Sequence, residues 1–144
     1  MRCGTTSPTN ATIGDGQGLG RIFDPPGAAN VFMWRCYNLT ADYHFFTTSE
    51  GEKDFAVSHG YRDENVPTPP FKVPNTGATG ASAIFRMYNP NGGRHYYTAS
   101  AGERDSLKNV GWIYEKDEGF IYTALQPGTA EVFRLYNNNS GVHL

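Results

Sequence analysis

One stretch of this chain occurs three times, and this repetition limits the possible architectures more than any other feature. The stretch FRMYNPNGGRHYYTAS covers residues 85–100. Its arginine and histidine, Arg86 and His95, recur 51 residues earlier as Arg35 and His44. A shorter copy, FRLYNNNSGVHL, closes the chain with the same spacing between its arginine and its histidine. Self-similarity at this period predicts an array of similar structural units.

A short helix is predicted in each of the two complete repeats. Ser49 with Glu52, and Ser100 with Glu103, have the S-x-x-E spacing of a capping box, in which side chains bond the free amides at a helix start. A glycine follows each serine by eleven residues, and glycine readily adopts the left-handed conformation that ends a helix. The same serine-to-glycine spacing near the N-terminus lacks the glutamate, so the helix predicted there is weaker.

The third repeat is predicted to be split between the two ends of the chain. Joining the C-terminus to Gly4 reproduces the histidine-to-serine spacing of the complete repeats, and this requires the termini to meet in space. We therefore predict one closed domain, 1–144, because an open solenoid would need capping ends. Its repeats are 31–80, 81–130, and a third made of 131–144 plus 1–30.

The repeats are expected to be all-β. The 17 glycines, 9 prolines and 14% aromatic residues suit short strands joined by tight turns. Each repeat of roughly 48 residues is predicted to have four strands, with hairpin turns at NPNGG and KDEG in the middle repeat. Three such repeats fit a closed pseudo-threefold domain, for which we favour a β-trefoil, with a three-bladed β-propeller as the alternative. The predicted strands of the middle repeat are 84–89, 94–99, 112–116 and 120–124.

Composition argues against several classes of function. The net charge of −2 gives no electrostatic reason to bind nucleic acid. No apolar run approaches the roughly 18 residues that membrane insertion needs. The sequence contains no H-E-x-x-H, G-x-S-x-G or phosphate-binding glycine pattern, and its cysteines have no metal-ligand spacing. We therefore expect no catalysis, no cofactor and no metal.

A few residues bear on cellular location and redox state. Three N-x-S/T sequons, at Asn10, Asn38 and Asn138, favour a secreted or extracellular protein, with cytoplasmic storage as the alternative. Cys3 and Cys36 are the only cysteines. They form either one disulfide or two separate thiols.

The repeated polar and aromatic residues are candidates for ligand binding. Alternation along the first strand of each repeat places arginine and tyrosine on one face, opposite an apolar face that is expected to pack in the core. Aromatic rings pack on the apolar side of a sugar, while arginine, asparagine and histidine bond its hydroxyls. We therefore interpret the repeats as presenting up to three shallow sites. The candidate residues are Arg86, Tyr88, Asn89, His95, Tyr97, Trp112 and Tyr114 in the middle repeat, Arg35, Tyr37 and His44 in the first, and Arg134, Tyr136 and His143 in the last.

A structural interpretation of the same residues stays open. An arginine at one place in every repeat could bridge to Glu52 or Glu103 at a helix start, or to the aspartate two residues later, and so fix helix to sheet. Histidine at a strand start could bond a backbone carbonyl. The acidic segments at 63–64 and 116–118 are expected to be solvated turns.

The signature of the middle repeat resembles that of a known family. The string R-x-Y-N-P-x-x-G-x-H-Y-Y-T-x-S-x-x-E-R-D, followed by G-W-x-Y-E, resembles a repeat family of unknown function in secreted bacterial and fungal proteins. Such repeats commonly occur in threes, often beside cell-wall hydrolases. The resemblance is specific in 84–128, good in 32–60, and partial in 131–144 and 4–27. It implies an accessory, glycan-binding module, and a free-standing domain of this kind is similar to small fungal defence lectins. The sequence departs from the pattern at VPTPP (66–70), which predicts unequal sites.

These observations predict a non-enzymatic carbohydrate-binding protein, a lectin, with up to three related glycan sites. The alternative is a protein-binding defence module, such as a peptidase inhibitor, that acts through one loop. The segment VPTPPFKVPNTGATGA, residues 66–81, is the loop that such an inhibitor would use.

Overall fold

A computed structural model gives the fold of residues 17–22, 30–139 and 142–143. These residues form eleven strands and two helices, and the first helix lies between the third and fourth strands. In chain order the elements are β1 (Gln17–Ile22), β2 (Asn30–Asn38), β3 (Tyr43–Thr47), α1 (Glu50–Ser58), β4 (Tyr61–Asp63), β5 (Phe71–Pro74), β6 (Ala81–Asn89), β7 (Arg94–Thr98), α2 (Ala101–Asn109), β8 (Ile113–Tyr122), β9 (Ala130–Arg134), β10 (Tyr136–Asn137) and β11 (Val142–His143).

The strands that the structure describes pair antiparallel in three sheets. A five-stranded sheet has the order β7-β6-β8-β1-β9, and a four-stranded sheet has the order β3-β2-β4 with β5 also paired to β2. A two-stranded sheet consists of β10 and β11. The predicted all-β class is therefore confirmed, with two short helices attached to the sheets.

The first hairpin has the same register in both complete repeats. Tyr37 pairs with His44 across β2 and β3, and Tyr88 pairs with His95 across β6 and β7. An asparagine at the end of the first strand closes each turn. In the middle repeat, Oδ1 of Asn89 accepts a hydrogen bond at 3.0 Å from the backbone N–H two residues later. The predicted hairpin at NPNGG is thus confirmed.

Both helices predicted in the complete repeats are confirmed. α1 begins after Ser49, whose hydroxyl accepts a hydrogen bond from the N–H of Glu52 at 3.2 Å, and α2 begins in the same way after Ser100. A left-handed glycine follows each helix, with φ of 93° at Gly60 and 96° at Gly111. In the part of the chain that the structure describes, neither helix is long and apolar enough to cross a bilayer. The weaker N-terminal helix was predicted outside the described residues.

The prediction of a second hairpin in the middle repeat is wrong. Residues Ile113–Tyr122 form one strand, β8, instead of two strands with a turn at KDEG. The pairing of β6 with β8 shifts register here and Gly119 takes a φ of 94°, so the segment forms a bulge within a strand. Glu118 is fully buried, which corrects the prediction of a solvated acidic turn. Local composition suggested a turn because the partners of Glu118 are distant in sequence.

Two short strands take the place of β8 in the first repeat. β4 and β5 both pair with β2, and the VPTPP segment separates them. Val73 of β5 is fully buried, whereas Val66 is 84% exposed. Part of the segment 66–81, suggested as an inhibitor loop, is therefore anchored in the sheet.

Strands from the two ends of the chain lie side by side. β1 pairs antiparallel with β9, with Gln17 opposite Arg134, and β1 also pairs with β8. Segments more than 100 residues apart in the sequence thus share one sheet. The remainder of the predicted third repeat in 1–16 and 23–29, including Cys3, lies outside the described residues.

Two apolar clusters form the core of the described residues. The first cluster joins the first and second repeats, because each contributes two members. Cys36, in the second cluster, carries a free thiol, and burial raises its pKa to about 11. The members are Met33, Val73, Ile84 and Ile121 in one cluster, and Cys36, Tyr43, Phe45 and Ala56 in the other.

Candidate functional site

A salt bridge connects the two complete repeats. Glu52, at the start of α1, accepts hydrogen bonds at 3.0 Å from both Nη1 and Nη2 of Arg86 in β6. The guanidinium carbon of Arg86 also lies 5.3 Å from the ring centroid of Phe45. Arg86 belongs to the second repeat, whereas Glu52 and Phe45 belong to the first. The predicted bridge from arginine to a helix-start glutamate is confirmed, with the partner in the preceding repeat.

Two further glutamates complete this ion cluster. Arg86 donates from Nη1 to Glu118 and from Nε to Glu115, each at 2.8 Å. Nζ of Lys116 lies 3.0 Å from Glu52 and 3.2 Å from Glu118. Burial alone would raise the pKa of Glu52, but hydrogen bonds from Arg86, a neighbouring threonine and Lys116 lower it to about 2. Three carboxylates and two cations thus share one cluster at the boundary between the repeats.

A second bridge repeats this arrangement one unit later. Glu103, at the start of α2, accepts from Nη1 and Nη2 of Arg134 at 3.4 Å. Nη1 of Arg134 also donates to the carbonyl of Tyr97 at 3.1 Å, and the guanidinium lies 4.5 Å from the ring centroid of Tyr96. Glu103 corresponds to Glu52 at the 51-residue offset. Each helix-start glutamate therefore binds the arginine of the next repeat.

The equivalent arginine of the first repeat, Arg35, has a different environment. Its Nε lies 2.9 Å from Oε2 of Glu64, without the alignment of a hydrogen bond. The same glutamate contacts Arg62 at 2.8 Å and His44 at 3.0 Å. The side chain of Arg35 is 39% exposed, compared with 7% for Arg86. Arg35 is thus the most accessible of the three repeated arginines.

His44 and His95, the histidines that recur at the 51-residue offset, each contact a glutamate that the sequence interpretation missed. Nε2 of His44 lies 3.0 Å from Glu64, and Nε2 of His95 lies 3.1 Å from Glu115. Burial lowers the pKa of both histidines, against the opposing effect of the glutamates. The two glutamates are also 51 residues apart. The offset that selected the histidines was therefore a signal that could have selected their partners.

A cavity of about 270 Å³ is lined by residues of all three repeats. Phe71 comes from the first repeat, Ile121 from the second and Phe133 from the third. No carboxylate is among its described lining residues. The candidate residues that line it are Arg35, His44, His95, Tyr97 and Arg134.

Aromatic rings form one wall of this cavity. Phe46 and Phe71 stack with their centroids 6.2 Å apart, and Tyr97 meets Phe46 edge-on at 5.7 Å. The hydroxyl of Tyr97 donates to the carbonyl of Phe46 at 2.6 Å and accepts from its N–H at 2.8 Å. These two bonds fix the tyrosine ring across the boundary between the first and second repeats, so the wall is pre-formed.

Residues 32–144 match a protein family described as a domain of unknown function (DUF5648). The chain belongs to this family. The DUF5648 match begins in β2 and includes all the candidate residues, both arginine–glutamate bridges and the described lining of the cavity. No curated protein and no solved structure matched the chain.

Most of the other candidate residues of this DUF5648 domain lie outside the cavity. Tyr37 and Tyr88 pack beside the histidines, with ring centroids 5.0 and 5.2 Å from them. The amide oxygen of Asn89 is used within its own turn, and Tyr114, 37% exposed, donates to Asp117 at 2.5 Å. The others are Arg86 in the ion cluster, Trp112 edge-on to Tyr96, and Tyr136 paired with His143 across β10 and β11.

The polar groups at the cavity of the DUF5648 domain favour hydrogen bonding to a ligand. A proton on Nε2 of His95 lets the ring donate to Glu115, which leaves Nδ1 as an acceptor. This buried Nδ1 has no hydrogen-bond partner among the described residues. Arg35, which also lines the cavity and is 39% exposed, adds guanidinium donors. One cavity therefore offers aromatic faces, a cation and an unused acceptor.

Proposed function

We propose that this protein is a non-catalytic carbohydrate-binding protein, a lectin, and that a sugar ring binds in the cavity between the repeats. The observation that carries the proposal is the combination of a stacked aromatic wall with Arg35 and His95 in a single cavity. Sugar sites need an apolar face for the C–H side of the ring and a few polar groups for its hydroxyls. The volume of about 270 Å³ suits a single ring rather than a longer chain.

The state of the neighbouring carboxylates supports binding rather than hydrolysis. Glycoside hydrolysis needs one carboxyl group with a raised pKa as the acid and a second as base or nucleophile. Burial alone would raise the pKa of Glu52, Glu64 and Glu103, but hydrogen bonds from neighbouring cations and hydroxyls lower it in each case. These groups are therefore suited to ion pairing and not to proton donation.

The proposal includes a closed pseudo-threefold arrangement, of the β-trefoil or three-bladed β-propeller type. Two successive bridges, Glu52 to Arg86 and Glu103 to Arg134, run in the same sense from one repeat to the next. β1 lies beside β9, and all three repeats line one cavity. Each of these observations supports repeats that surround a common axis.

A glycan array, followed by calorimetric titration of the best ligand, tests the proposal. We expect Phe71→Ala to reduce affinity by about tenfold or more, because it removes one of the stacked rings. Phe32→Ala is the matched control. Phe32 belongs to the same β2–β5 strand pair as Phe71, but its side chain is 40% exposed and does not line the cavity. Circular dichroism would establish that both variants fold.

The outcome at Trp112 distinguishes the cavity from a surface site on the middle repeat. Trp112 does not line the cavity, so Trp112→Ala should leave affinity unchanged. Loss of binding in Trp112→Ala, with full binding in folded Phe71→Ala, would place the sugar on the outer surface and reject the cavity. An array without any hit at high protein concentration would reject carbohydrate binding itself.

A further inference from the structure

The three repeated arginines differ in how completely the protein neutralises them. Arg86 contacts three carboxylates and is 7% exposed, and Arg134 contacts Glu103 and is 12% exposed. Arg35 contacts one carboxylate, which it shares with Arg62 and His44, and is 39% exposed. Of these three arginines, Arg35 is therefore the most exposed, and its carboxylate partner also serves other groups.

The sequence explains this difference. In the first and second repeats a glutamate stands three residues after the helix-start serine, and it binds the arginine of the next repeat. In the third repeat the residue three positions after Ser7 is Asn10, which carries no charge. The arginine that follows in the cyclic order is Arg35, and the carboxylate that it contacts among the described residues is Glu64, which does not lie at a helix start.

Arg35 is also the arginine with the best access to a ligand. It lines the cavity together with His44, and none of the described lining residues is acidic. Glu64, the carboxylate that it contacts in the described part of the chain, also pairs with Arg62. Because Arg35 and Arg62 share the single charge of Glu64, a ligand beside Arg35 would meet an excess of positive charge. A guanidinium group can bind a carboxylate through two parallel hydrogen bonds.

We propose that the cavity takes a sugar that carries a carboxylate, a uronic acid, and that Arg35 binds this carboxylate while the Phe46–Phe71 wall packs against the ring. The inference rests on the proposed carbohydrate-binding function and names its ligand class. A neutral sugar would leave Arg35 with only its share of the Glu64 charge, so uronic acids should bind in preference to their neutral counterparts.

Titration calorimetry with glucuronic and galacturonic acid, against glucose and galactose, tests this inference on the full chain. We expect each uronic acid to bind at least tenfold more tightly than its neutral counterpart, and this preference to weaken as salt is added. Arg35→Gln should remove the preference, and Arg35→Lys should restore part of it, because lysine keeps the charge without the planar fork. Arg104→Gln is the matched control, since Arg104 also pairs with one carboxylate, that of Asp105, but does not line the cavity.

The outcomes separate this inference from the proposal on which it rests. Equal affinity for uronic and neutral sugars, unchanged in Arg35→Gln, would overturn the inference and leave carbohydrate binding intact. An equal loss of the preference in Arg104→Gln would assign it to the general charge of the protein and would also overturn the role of Arg35. Absence of binding to all four sugars and to the glycan array would reject both.

Discussion

Replacing the three repeated arginines one at a time should give three different losses of stability. The variants are Arg86→Met, Arg134→Met and Arg35→Met, in which methionine keeps much of the apolar stem and removes the charge. All three arginines occupy the same place in their repeats. A local role, such as strand propensity, would give equal effects, whereas a role in bridging the repeats predicts effects that follow the number of partners.

The magnitudes follow from burial. Removing Arg86 leaves Glu118, which is fully buried, with Lys116 as its remaining cation, and breaking a buried ion pair in this way costs about 3–5 kcal/mol. Arg134 makes longer contacts of 3.4 Å to a glutamate that is 34% exposed, so we expect a loss of roughly 1–3 kcal/mol. Arg35 is 39% exposed, and exposed pairs contribute about 0–1 kcal/mol.

Urea unfolding followed by tryptophan fluorescence measures these differences. A domain of this size has a total stability of about 5–15 kcal/mol, so Arg86→Met should lower the urea midpoint clearly and the melting temperature by about 10 °C. The slope of the unfolding free energy against urea concentration should stay unchanged, because the same surface is exposed on unfolding. An equal loss in Arg35→Met and Arg86→Met would refute the reasoning, since it would show that the bridges to the preceding repeat do not determine stability.

Two further predictions concern the bulge and the histidines. Gly119→Ala should destabilise the fold by more than about 2 kcal/mol, because the added Cβ would lie 2.7 Å from Val73. Gly60→Ala is the control, since Gly60 has nearly the same φ but nothing within 4 Å of the added Cβ, and it should cost only about 1 kcal/mol. Equal melting temperatures of the two variants would contradict the close contact at Gly119. Burial lowers the pKa of His95 in the folded state, so the unfolded chain takes up a proton near pH 6.5 before the folded one does. Stability should therefore fall as the pH drops below about 6.5, and urea midpoints at pH 8 and pH 5 should differ less in His95→Gln than in the unaltered protein.

Local features of the fold could be predicted from the sequence because they depend on neighbouring residues. Ser49 and Ser100 cap the helices that their S-x-x-E spacing predicted, and NPNGG forms the predicted hairpin. The bulge at KDEG could not be recognised in this way. A turn and a bulge both favour a glycine with positive φ, as at Gly119, so local sequence does not distinguish them. In addition, the burial of Glu118 depends on a hydrogen bond from the N–H of Thr48, which is 70 residues away in the chain.

The candidate site was predictable to a similar extent. The repeat offset selected Arg35, His44 and His95, which line the cavity. It did not indicate which glutamate each arginine would bind, because the bridges connect one repeat with the next and depend on how the repeats are arranged in space. Glu64 and Glu115 were missed for a different reason. Glu64 was interpreted as part of a solvated acidic turn and Glu115 was given no role, although their 51-residue spacing marked them as part of the repeated set.

In this fold, an arginine that is paired in the same way in each repeat is less available to bind a ligand. A ring in which every repeat supplied a helix-start glutamate to the next arginine would be neutralised throughout, as Arg86 is by Glu52, Glu115 and Glu118. Such an arginine would have to break buried ion pairs before it could bind a ligand, at a cost of several kcal/mol. The repeat that departs from the pattern avoids this cost, because Arg35 is held by a shared carboxylate and remains exposed. The residues that match the repeat signature most closely are therefore expected to hold the fold together, and recognition is expected where the signature is incomplete.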